Sequence, residues 1–373
     1  MALADSPALP RAGLAYQPGL DGLRAVAVVA VVAYHLELPW APRGGAVGVT
    51  LFFSLSGYLI TTLLLRELAG AGRVRLGAFY VRRALRLFPA LLLVVGAVAA
   101  YAVVVEPPTS RARDLGGLPY VLGYVGNWHR AVEGFGSLGL LDHTWTLSVE
   151  EQFYVLWPPL LLGVLRWGSR RWCYVLLAVG CVGPLVVRLL VWDGLGSAAR
   201  VLNGTDTAAD PLLMGCALAV ALAVAGPERL RRVVAVAVWP ATALLVADGV
   251  FRLDGNDLPT GVTVTLLWGP AALGLASTVV VAAVVLRPPA WLATSGLRAL
   301  GRISYGLYLW HYPVIRVLEE RGPGELSGAG QLLAVAVTLG AATASYALVE
   351  RPLLRLKRLV PPAAPVERVL VAA

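Results

Sequence analysis

The sequence predicts an all-α, polytopic membrane protein with about ten transmembrane helices and both termini in the cytoplasm. Of the 373 residues, 58% are hydrophobic and only 14% are charged. A soluble domain of this length would carry about a quarter of its residues as charges. Apolar segments long enough to cross a bilayer recur along the whole chain, which is typical of multi-spanning proteins.

Ten apolar segments are long enough to span a membrane, and hydropathy predicts one helix in each. They cover residues 23–41, 46–65, 86–105, 146–165, 172–192, 209–225, 233–251, 261–285, 303–320 and 331–349. A shorter, glycine-interrupted piece at 115–128 is predicted to be a re-entrant or surface helix.

The basic residues orient these segments, because cytoplasmic loops are enriched in Arg and Lys. With the N-terminus inside, the predicted cytoplasmic segments contain most of them: Arg66, Arg73, Arg75, Arg82, Arg83, Arg86, Arg166, Arg170, Arg171, Arg229, Arg231, Arg232, Arg287, Arg298, Arg302, Arg351, Arg355, Lys357, Arg358 and Arg368. Counting 115–128 as a full span would invert every later loop. This loop bias also explains the net charge of +9, so we expect a lipid bilayer and no nucleic acid as partner.

The pattern indicates one membrane domain over residues 20–358, between flexible cytoplasmic tails at 1–19 and 359–373. No repeat of 20–50 residues is visible in the sequence. The first 19 residues have no apolar core of a signal peptide, so the first helix should remain as a span. The three cysteines lack paired spacing, which indicates neither a disulfide framework nor a zinc site.

The first predicted span carries a basic residue and an imidazole, Arg24 and His35. Eleven positions separate them, so they share one helix face about 16 Å apart along the axis. A titratable group facing lipid costs about 2–3 kcal/mol, which favours a protein interior or a wet cavity for His35. The alternative is a snorkelling arginine and a structural histidine.

Three arginines, Arg82, Arg83 and Arg86, precede the third span. The spacings i, i+3 and i, i+4 put guanidinium groups on one helix face beside the cytoplasmic mouth. Guanidinium forks suit phosphates because each offers two parallel donors and a permanent charge. The alternative is ordinary juxtamembrane charge on anionic lipid.

Two adjacent carboxylates, Glu150 and Glu151, enter what should be the outer end of the fourth span. They point about 100° apart, so at least one should face the helix bundle. A carboxylate there can act as acid or base, or can orient a histidine. The alternative is a pair of interfacial glutamates neutralised by arginines. His143, just before this span, is expected to be a solvated loop residue.

The ninth span carries a polar stripe of Ser304, Tyr308 and His311 at i, i+4 and i+7. Tyr305 lies on a neighbouring stripe. Aromatic residues near helix ends are usual interfacial anchors, but His311 lies too deep for that. The sequence therefore predicts that His311 faces the interior.

In order along the chain, these residues lie in motifs that resemble the acyltransferase 3 family. The motifs are Arg24 and His35 with ten residues between them, LFFSLSGYLIT at 51–61, Arg83-Ala-Leu-Arg86 before Pro89, WTLSVEEQFY at 145–154, SYGLYLWHYP at 304–313 and ERP at 350–352. The resemblance covers nearly the whole chain.

The resemblance implies transfer of an acyl group from acyl-CoA, foremost acetyl-CoA, to a hydroxyl of a sugar-containing acceptor. It implies catalysis by His35 as general base with Glu150 as orienting carboxylate. It implies donor binding by Arg24, Arg82, Arg83 and Arg86, and substrate binding by Trp145, Glu151, Tyr305, Tyr308 and His311. No metal is needed, and the expected location is the cytoplasmic membrane.

The acceptor stays open between a cell-surface glycan and a glycosylated small molecule such as a macrolide. Relatives that modify glycans often carry a C-terminal esterase-like domain, and none is expected in these residues. Where the family often has an arginine, residues 206–210 read DTAAD, with Ala208 at that position. The rival function is a proton-coupled transporter or flippase with the same interior charges, although no inverted repeat is visible.

Overall fold

The computed structural model describes residues 16–38, 45–167, 170–194, 197–251, 259–322, 324 and 326–360. Throughout these residues the regular elements are helices. The α-helices are α1 (Pro18–His35), α2 (Gly45–Ala71), α3 (Leu76–Val105), α4 (Pro108–Leu122), α5 (Gly126–Glu133), α6 (Trp145–Trp167), α7 (Arg170–Val191), α8 (Ala198–Asn203), α9 (Thr205–Ala208), α10 (Asp210–Ala225), α11 (Pro227–Phe251), α12 (Pro259–Leu286), α13 (Ser295–Arg302), α14 (Ser304–Arg321), α15 (Gly328–Ser345) and α16 (Arg351–Arg355).

Each of the ten predicted segments overlaps one helix: α1, α2, α3, α6, α7, α10, α11, α12, α14 and α15. Within the described residues, six stretches are long and apolar enough to cross a membrane. Five lie in α2, α3, α7, α11 and α12, and the sixth runs from α15 to the end of α16. The protein is therefore a helical, multi-pass membrane protein. The full count of ten spans and the cytoplasmic termini stay predictions.

The segment at 115–128 does not form one span. It divides between α4 and α5, two short helices with a turn around Gly123. The helix α1 begins at Pro18, inside the segment predicted as a tail. Proline suits the first turn of a helix, where its missing N–H leaves no bond unmade. The predicted stop of the first span at Pro39 and Trp40 lies outside the described residues.

The helix α2 is central, with α1, α10 and α12 packed against it. Glycines allow the closest approaches, since a Cβ at Gly57 would overlap the carbonyl oxygen of Leu212 in α10. Gly215 faces the Ser54 carbonyl in the same way from the opposite helix. Small residues at helix contacts let the two backbones approach, as in other membrane bundles.

The start of α1 is held against α13 by the same device. Gly22 lies against the Leu292 carbonyl, and Gly301 of α13 lies against the Asp21 carbonyl. This contact holds α1 beside α14, which follows α13 after Ile303. Arg24 and Ser304 therefore become neighbours.

The two aspartates that flank Ala208, Asp206 and Asp210, form ion pairs with arginines of other helices. Asp210 forms an ion pair of 2.8 Å with Arg188 of α7, and both side chains are fully buried. Arg188 also donates to the Leu267 and Thr207 carbonyls. Asp206 pairs with Arg200 at 2.6 Å. A buried pair needs such extra hydrogen bonds to offset the cost of removing both charges from water.

Candidate active site

A polar column runs through the bundle between the Arg24 and His35 ends of α1. It consists of side chains from α1, α2, α3, α6 and α14: Arg24, Arg83, Arg86, Ser304, Ser56, Glu150, Tyr154, Thr146, Tyr308, His311 and His35. Ideal helix geometry separates its two ends by about 16 Å. Three of its members come from α14, as the stripe of Ser304, Tyr308 and His311 predicts.

The lower end of the column is strongly basic. Arg24 donates from Nε to Ser304 Oγ at 3.3 Å. Arg83 pairs with Glu151 at 3.2 Å, and its Cζ lies 3.1 Å from the centre of the Tyr154 ring. A face-on cation–aromatic contact of this kind holds the guanidinium in place.

The predicted arginine cluster does form, but its members differ in surroundings. Arg82 pairs with Glu67 at 3.6 Å and donates to the Val360 carbonyl at 3.3 Å. Arg86 lies within electrostatic range of Arg24 and Arg83, and its side chain is exposed. Among the described residues no carboxylate forms an ion pair with Arg86. Arg86 therefore faces the like charges of Arg24 and Arg83, and the buried Glu350 carboxylate acts on it only beyond ion-pair distance.

The middle of the column contains Glu150. Its Oε1 accepts hydrogen bonds from Ser56 Oγ at 2.6 Å and from the Tyr154 hydroxyl at 3.4 Å. Arg83 and Arg24 lie within electrostatic range of it. Glu151 pairs with Arg83 instead. Each of the two carboxylates therefore has a polar partner within the protein.

The position of Glu150 differs from the sequence expectation. The sequence predicts it at the outer end of its span, orienting His35, whereas its oxygen accepts from Ser56 and Tyr154 within electrostatic range of Arg24. The hydrogen bonds of His35 go to Val31 and His311 instead. Glu150 and His35 are separated because Arg24, which Glu150 faces, is three helix turns from His35 on α1.

The aromatic residues predicted to bind substrate occupy two levels. Tyr305 is near the arginines and donates to the Leu87 carbonyl at 3.1 Å. Tyr308 is higher and buried, and its hydroxyl bonds the His143 carbonyl at 2.7 Å and Thr146 Oγ1 at 2.5 Å. Trp145 is half-buried, with the Arg130 guanidinium 5.5 Å from its ring centre. These side chains form walls rather than one cluster.

The upper end of the column is a pair of histidines whose hydrogen bonds define their tautomers. His311 Nδ1 lies 2.6 Å from the Tyr308 carbonyl oxygen, which can only accept, so Nδ1 carries the proton and Nε2 has the lone pair. His35 Nδ1 lies 2.9 Å from the Val31 carbonyl and 3.2 Å from His311 Nε2. This network assigns the His35 proton to Nδ1. The lone pair of His35 is therefore on Nε2.

A third histidine, His143, completes the upper end, and sequence reasoning missed it. It is 4% exposed rather than solvated. Its ring lies 5.2 Å from the His311 ring and stacks 5.1 Å from Tyr312, which also contacts His35 at 5.2 Å. The available signal was its position two residues before Trp145, directly before the motif at 145–154.

The environment of His143 keeps its ring neutral. It lies in the 3₁₀ turn Gly139–Thr144 ahead of α6, and burial, together with nearby His35, lowers its pKa to about 3. Neither ring nitrogen makes a hydrogen bond to a described residue. The preceding residue, Asp142, pairs with Arg130 at 2.9 Å. This ion pair bounds the site on the side away from the arginine cluster.

The site offers an imidazole base, His35, fixed by hydrogen bonds at one end of the polar column, with the arginine cluster at the other end. The lone pair of His35 Nε2 accepts no hydrogen bond from a described residue. A base needs this free lone pair within reach of the proton that it takes. Among the described residues, no group of three or more His, Cys, Asp or Glu is placed to hold a metal ion.

The helices and the polar column define an integral membrane protein with a buried polar site. A family model described as "Acyltransferase domain" matches residues 17–350. The chain belongs to the acyltransferase 3 family. Comparison with solved structures found no match.

The chain is also similar to proteins named as O-acetyltransferases. The chain is 35% identical over 359 residues to the peptidoglycan O-acetyltransferase OatA of Listeria monocytogenes, covering 91% of this chain and 56% of that protein. It is 30% identical over 368 residues to the O-acetyltransferase OatA of Staphylococcus aureus, covering 91% and 57%. The chain thus spans little more than half the length of these relatives.

Proposed function

We propose that this protein is an O-acyltransferase of the cytoplasmic membrane. It transfers a short acyl group, acetyl foremost, from acyl-CoA to a sugar hydroxyl, with His35 as general base. The observation that carries this proposal is the His35–His311 hydrogen bond, which leaves His35 Nε2 unprotonated and free. Family membership favours this function over the transporter that the interior charges also suggested.

The donor end of the proposal rests on the cationic mouth. Arg24, Arg83 and Arg86 lie close enough to influence one another electrostatically. Among the described residues, Arg86 forms no ion pair, and Glu350 acts on it only from a longer distance. Like charges repel, so such a group is most stable with a polyanion between its members. The phosphates of acyl-CoA supply that anion, and the thin pantetheine arm of the donor can follow the polar column towards His35.

The proton transfer follows from the two tautomers. His35 Nε2 takes the hydroxyl proton while the acceptor oxygen forms its bond to the acyl carbon. The bond between this carbon and sulfur then breaks, and His35 returns the proton to the leaving thiolate. While protonated, His35 keeps its Nδ1–H on the His311 lone pair. Its place at the last residue of α1 also helps, since a helix C-terminus stabilises positive charge.

The remaining predicted site residues have positioning roles in this scheme. Glu150 and Glu151 hold Arg24 and Arg83 in place at the donor end. Tyr305 and Tyr308 form the walls of the path, with their hydroxyls already bonded to backbone carbonyls. Trp145 lies beside Arg130 on the acceptor side.

A glycan acceptor is favoured over a small molecule by the named relatives, which are O-acetyltransferases, one of them of peptidoglycan. We therefore propose a hydroxyl of a peptidoglycan-type sugar as acceptor. Because this chain spans little more than half of those relatives, the full path of the acyl group to the glycan is part of the proposal.

The test is acyl transfer from radiolabelled acetyl-CoA in membranes containing His35→Ala, wild type or a matched control. His129 is the control because it is a half-buried histidine stacked on Tyr120, 3.9 Å between ring centres, apart from the histidines of the column. Loss of a general base costs about 10²–10⁴-fold in rate. We expect this loss for His35→Ala and near wild-type transfer for His129→Ala.

A wild-type rate in the His35→Ala protein would remove the assigned base. Movement of an unmodified glycan or metabolite across the membrane, without acylation by the wild type, would favour the transporter. Mass spectrometry of glycans and secreted metabolites from a deletion strain identifies the acceptor as the compound class that loses one acyl group.

A further inference from the structure

The C-terminal turn Leu356–Leu359 packs against the start of α3, where the arginine cluster begins. Arg82 of α3 donates to the Val360 carbonyl, and the Val360 N–H in turn bonds the Lys357 carbonyl at 3.1 Å. The turn is therefore tied to the cluster through its backbone. Lys357 itself is half-buried and within electrostatic range of Arg82, Arg83 and Arg86.

The charge balance at this place is uneven. Arg82 and Arg83 each have a glutamate, Glu67 and Glu151. Within the described part of the chain, Arg86 and Lys357 have no carboxylate at ion-pair distance. Glu350 lies within electrostatic range of Arg86, whereas the charged groups around Lys357 are the three arginines. The group therefore keeps one excess positive charge, which repels its neighbours unless an anion is present.

The identity of the side chain adds a second observation. Lys357 is the one lysine among the 31 basic residues of the sequence. A lysine offers a compact charge with three freely rotating donors, whereas guanidinium groups hold a fixed planar fork. A lysine on a separate segment can therefore follow an anion that the arginines bind from one side.

We propose that Lys357 is a further donor-binding residue, whose ammonium group contacts a phosphate of the acyl donor opposite Arg86. This inference rests on the proposed function, because it assumes that the basic mouth accepts a phosphorylated donor. The C-terminal turn then closes one wall of the donor site. Phosphate monoesters on a free donor and phosphates of anionic lipids share the chemistry required, so the experiment has an arm for each.

The ionisation of Lys357 supports a pH-dependent contribution. Burial, followed by the charges of Arg86, Arg83 and Arg82, lowers its pKa to about 8. The ammonium form is thus present below pH 8 and is lost above it. Glu67 and Glu151 are paired with Arg82 and Arg83. The buried carboxylate of Glu350 accepts from Ser345 and lies within electrostatic range of Arg86. A phosphate monoester is doubly charged above about pH 7. Donor kcat/KM, which reports the free enzyme, should therefore fall between about pH 7 and 9.

The first experiment uses the single lysine as a chemical reporter. The full chain in phosphatidylcholine nanodiscs is treated with an N-hydroxysuccinimide ester, and acylation of the Lys357 peptide is followed by mass spectrometry. We expect CoA to slow labelling about fivefold or more, as one charge-assisted contact predicts. Pantetheine, which lacks phosphate, should give no protection.

Three labelling outcomes would overturn the inference. The first is an unchanged rate with CoA, and the second is equal protection by inorganic phosphate at the same concentration. The third is protection by phosphatidylglycerol nanodiscs with no added effect of CoA, which would assign Lys357 to lipid.

The second experiment separates this inference from the proposed function by kinetics. Lys357→Met should raise the donor KM about fivefold to tenfold, with kcat and acceptor KM unchanged. Lys357→Arg should retain the low donor KM and remove its rise above pH 8. Arg355→Met is the matched control, because Arg355 is an exposed cation on the neighbouring helix α16.

An unchanged donor KM in Lys357→Met, or an equal rise in Arg355→Met, would overturn the role of Lys357. A wild-type protein without CoA-dependent transfer would overturn the proposed function itself.

Discussion

The base of the site is an imidazole held by another imidazole. His311 Nε2 accepts from His35 Nδ1–H, as a carboxylate does in a Ser-His-Asp triad. A neutral imidazole fixes the tautomer and the ring orientation without adding a negative charge. Protonated His35 is therefore stabilised less than it would be beside a carboxylate, which suits a base that must return its proton to a thiolate.

This arrangement makes His311 a positioning residue with a specific substitution pattern. His311→Leu removes one of the two acceptors of the His35 Nδ1–H and leaves the Val31 carbonyl at 2.9 Å. It should lower kcat about tenfold, because the protonated imidazole loses one charge-assisted hydrogen bond. His311→Gln can present its amide oxygen where Nε2 was and should restore part of the rate. The pH dependence of kcat in membranes checks the role, because only a residue acting on His35 shifts it.

The control for this series is His129→Leu, because His129 stacks on Tyr120 with 3.9 Å between ring centres, apart from the histidines of the column. Equal rates for His311→Leu and His311→Gln, with an unchanged pH profile, would assign His311 to packing alone.

At the scale of elements, the contact between α2 and α10 depends on two glycines. Gly57 and Gly215 each face a backbone carbonyl of the opposite helix. In lipid the gain from helix association comes from close packing and hydrogen bonds rather than from expelling water. The interface therefore has little tolerance for an added side-chain atom, and α2 carries Ser56 of the polar column.

Gly57→Ala should destabilise the protein by separating these helices. Its Cβ would overlap the Leu212 carbonyl oxygen, a backbone atom that cannot rotate away. Overpacking of this kind costs about 1–3 kcal/mol. Gly96→Ala is the matched control, because Gly96 lies inside α3 with no atom near its would-be Cβ. That change should stabilise by up to about 1 kcal/mol.

The measurement is the apparent melting temperature of the purified protein in detergent, read by intrinsic tryptophan fluorescence. We expect Gly57→Ala below and Gly96→Ala at or above the wild type. Equal melting temperatures for the two variants would show that α2 and α10 can separate enough for the added methyl group without loss of stability.

The helices themselves were predictable, because hydropathy reports each segment independently of its neighbours. All ten predicted segments coincide with helices, and the stripe on α14 does face the polar column. The axial level of Glu150 was not predictable. Its level depends on how α6 is shifted along α1, and no local pattern in either helix determines that shift. The burial of His143 depends likewise on Tyr312 and His311, which lie far away in the sequence.

At the scale of the whole molecule, the two ends of the polar column have opposite character. The arginines and Lys357 lie at one end, and the neutral histidines lie about 16 Å away along α1. Arg130 and Asp142 bound the histidine end and neutralise each other at 2.9 Å. A polyanionic donor is attracted only to the first end. The fold thus separates donor binding from the base by a distance that an extended donor arm must cross.

This polarity predicts that the donor acts from one face of the membrane. If the arginine end is cytoplasmic, as the distribution of basic residues indicates, then external acetyl-CoA should support transfer in sealed inside-out vesicles. In sealed right-side-out vesicles the rate should be lower by more than about tenfold, because a multiply charged donor does not cross hydrocarbon. Detergent permeabilisation should make the two preparations equal, which controls for the amount of active enzyme. Equal rates before permeabilisation would contradict a donor site that opens to one face only. A higher rate in right-side-out vesicles would invert the predicted topology but would still agree with a separation of the two ends.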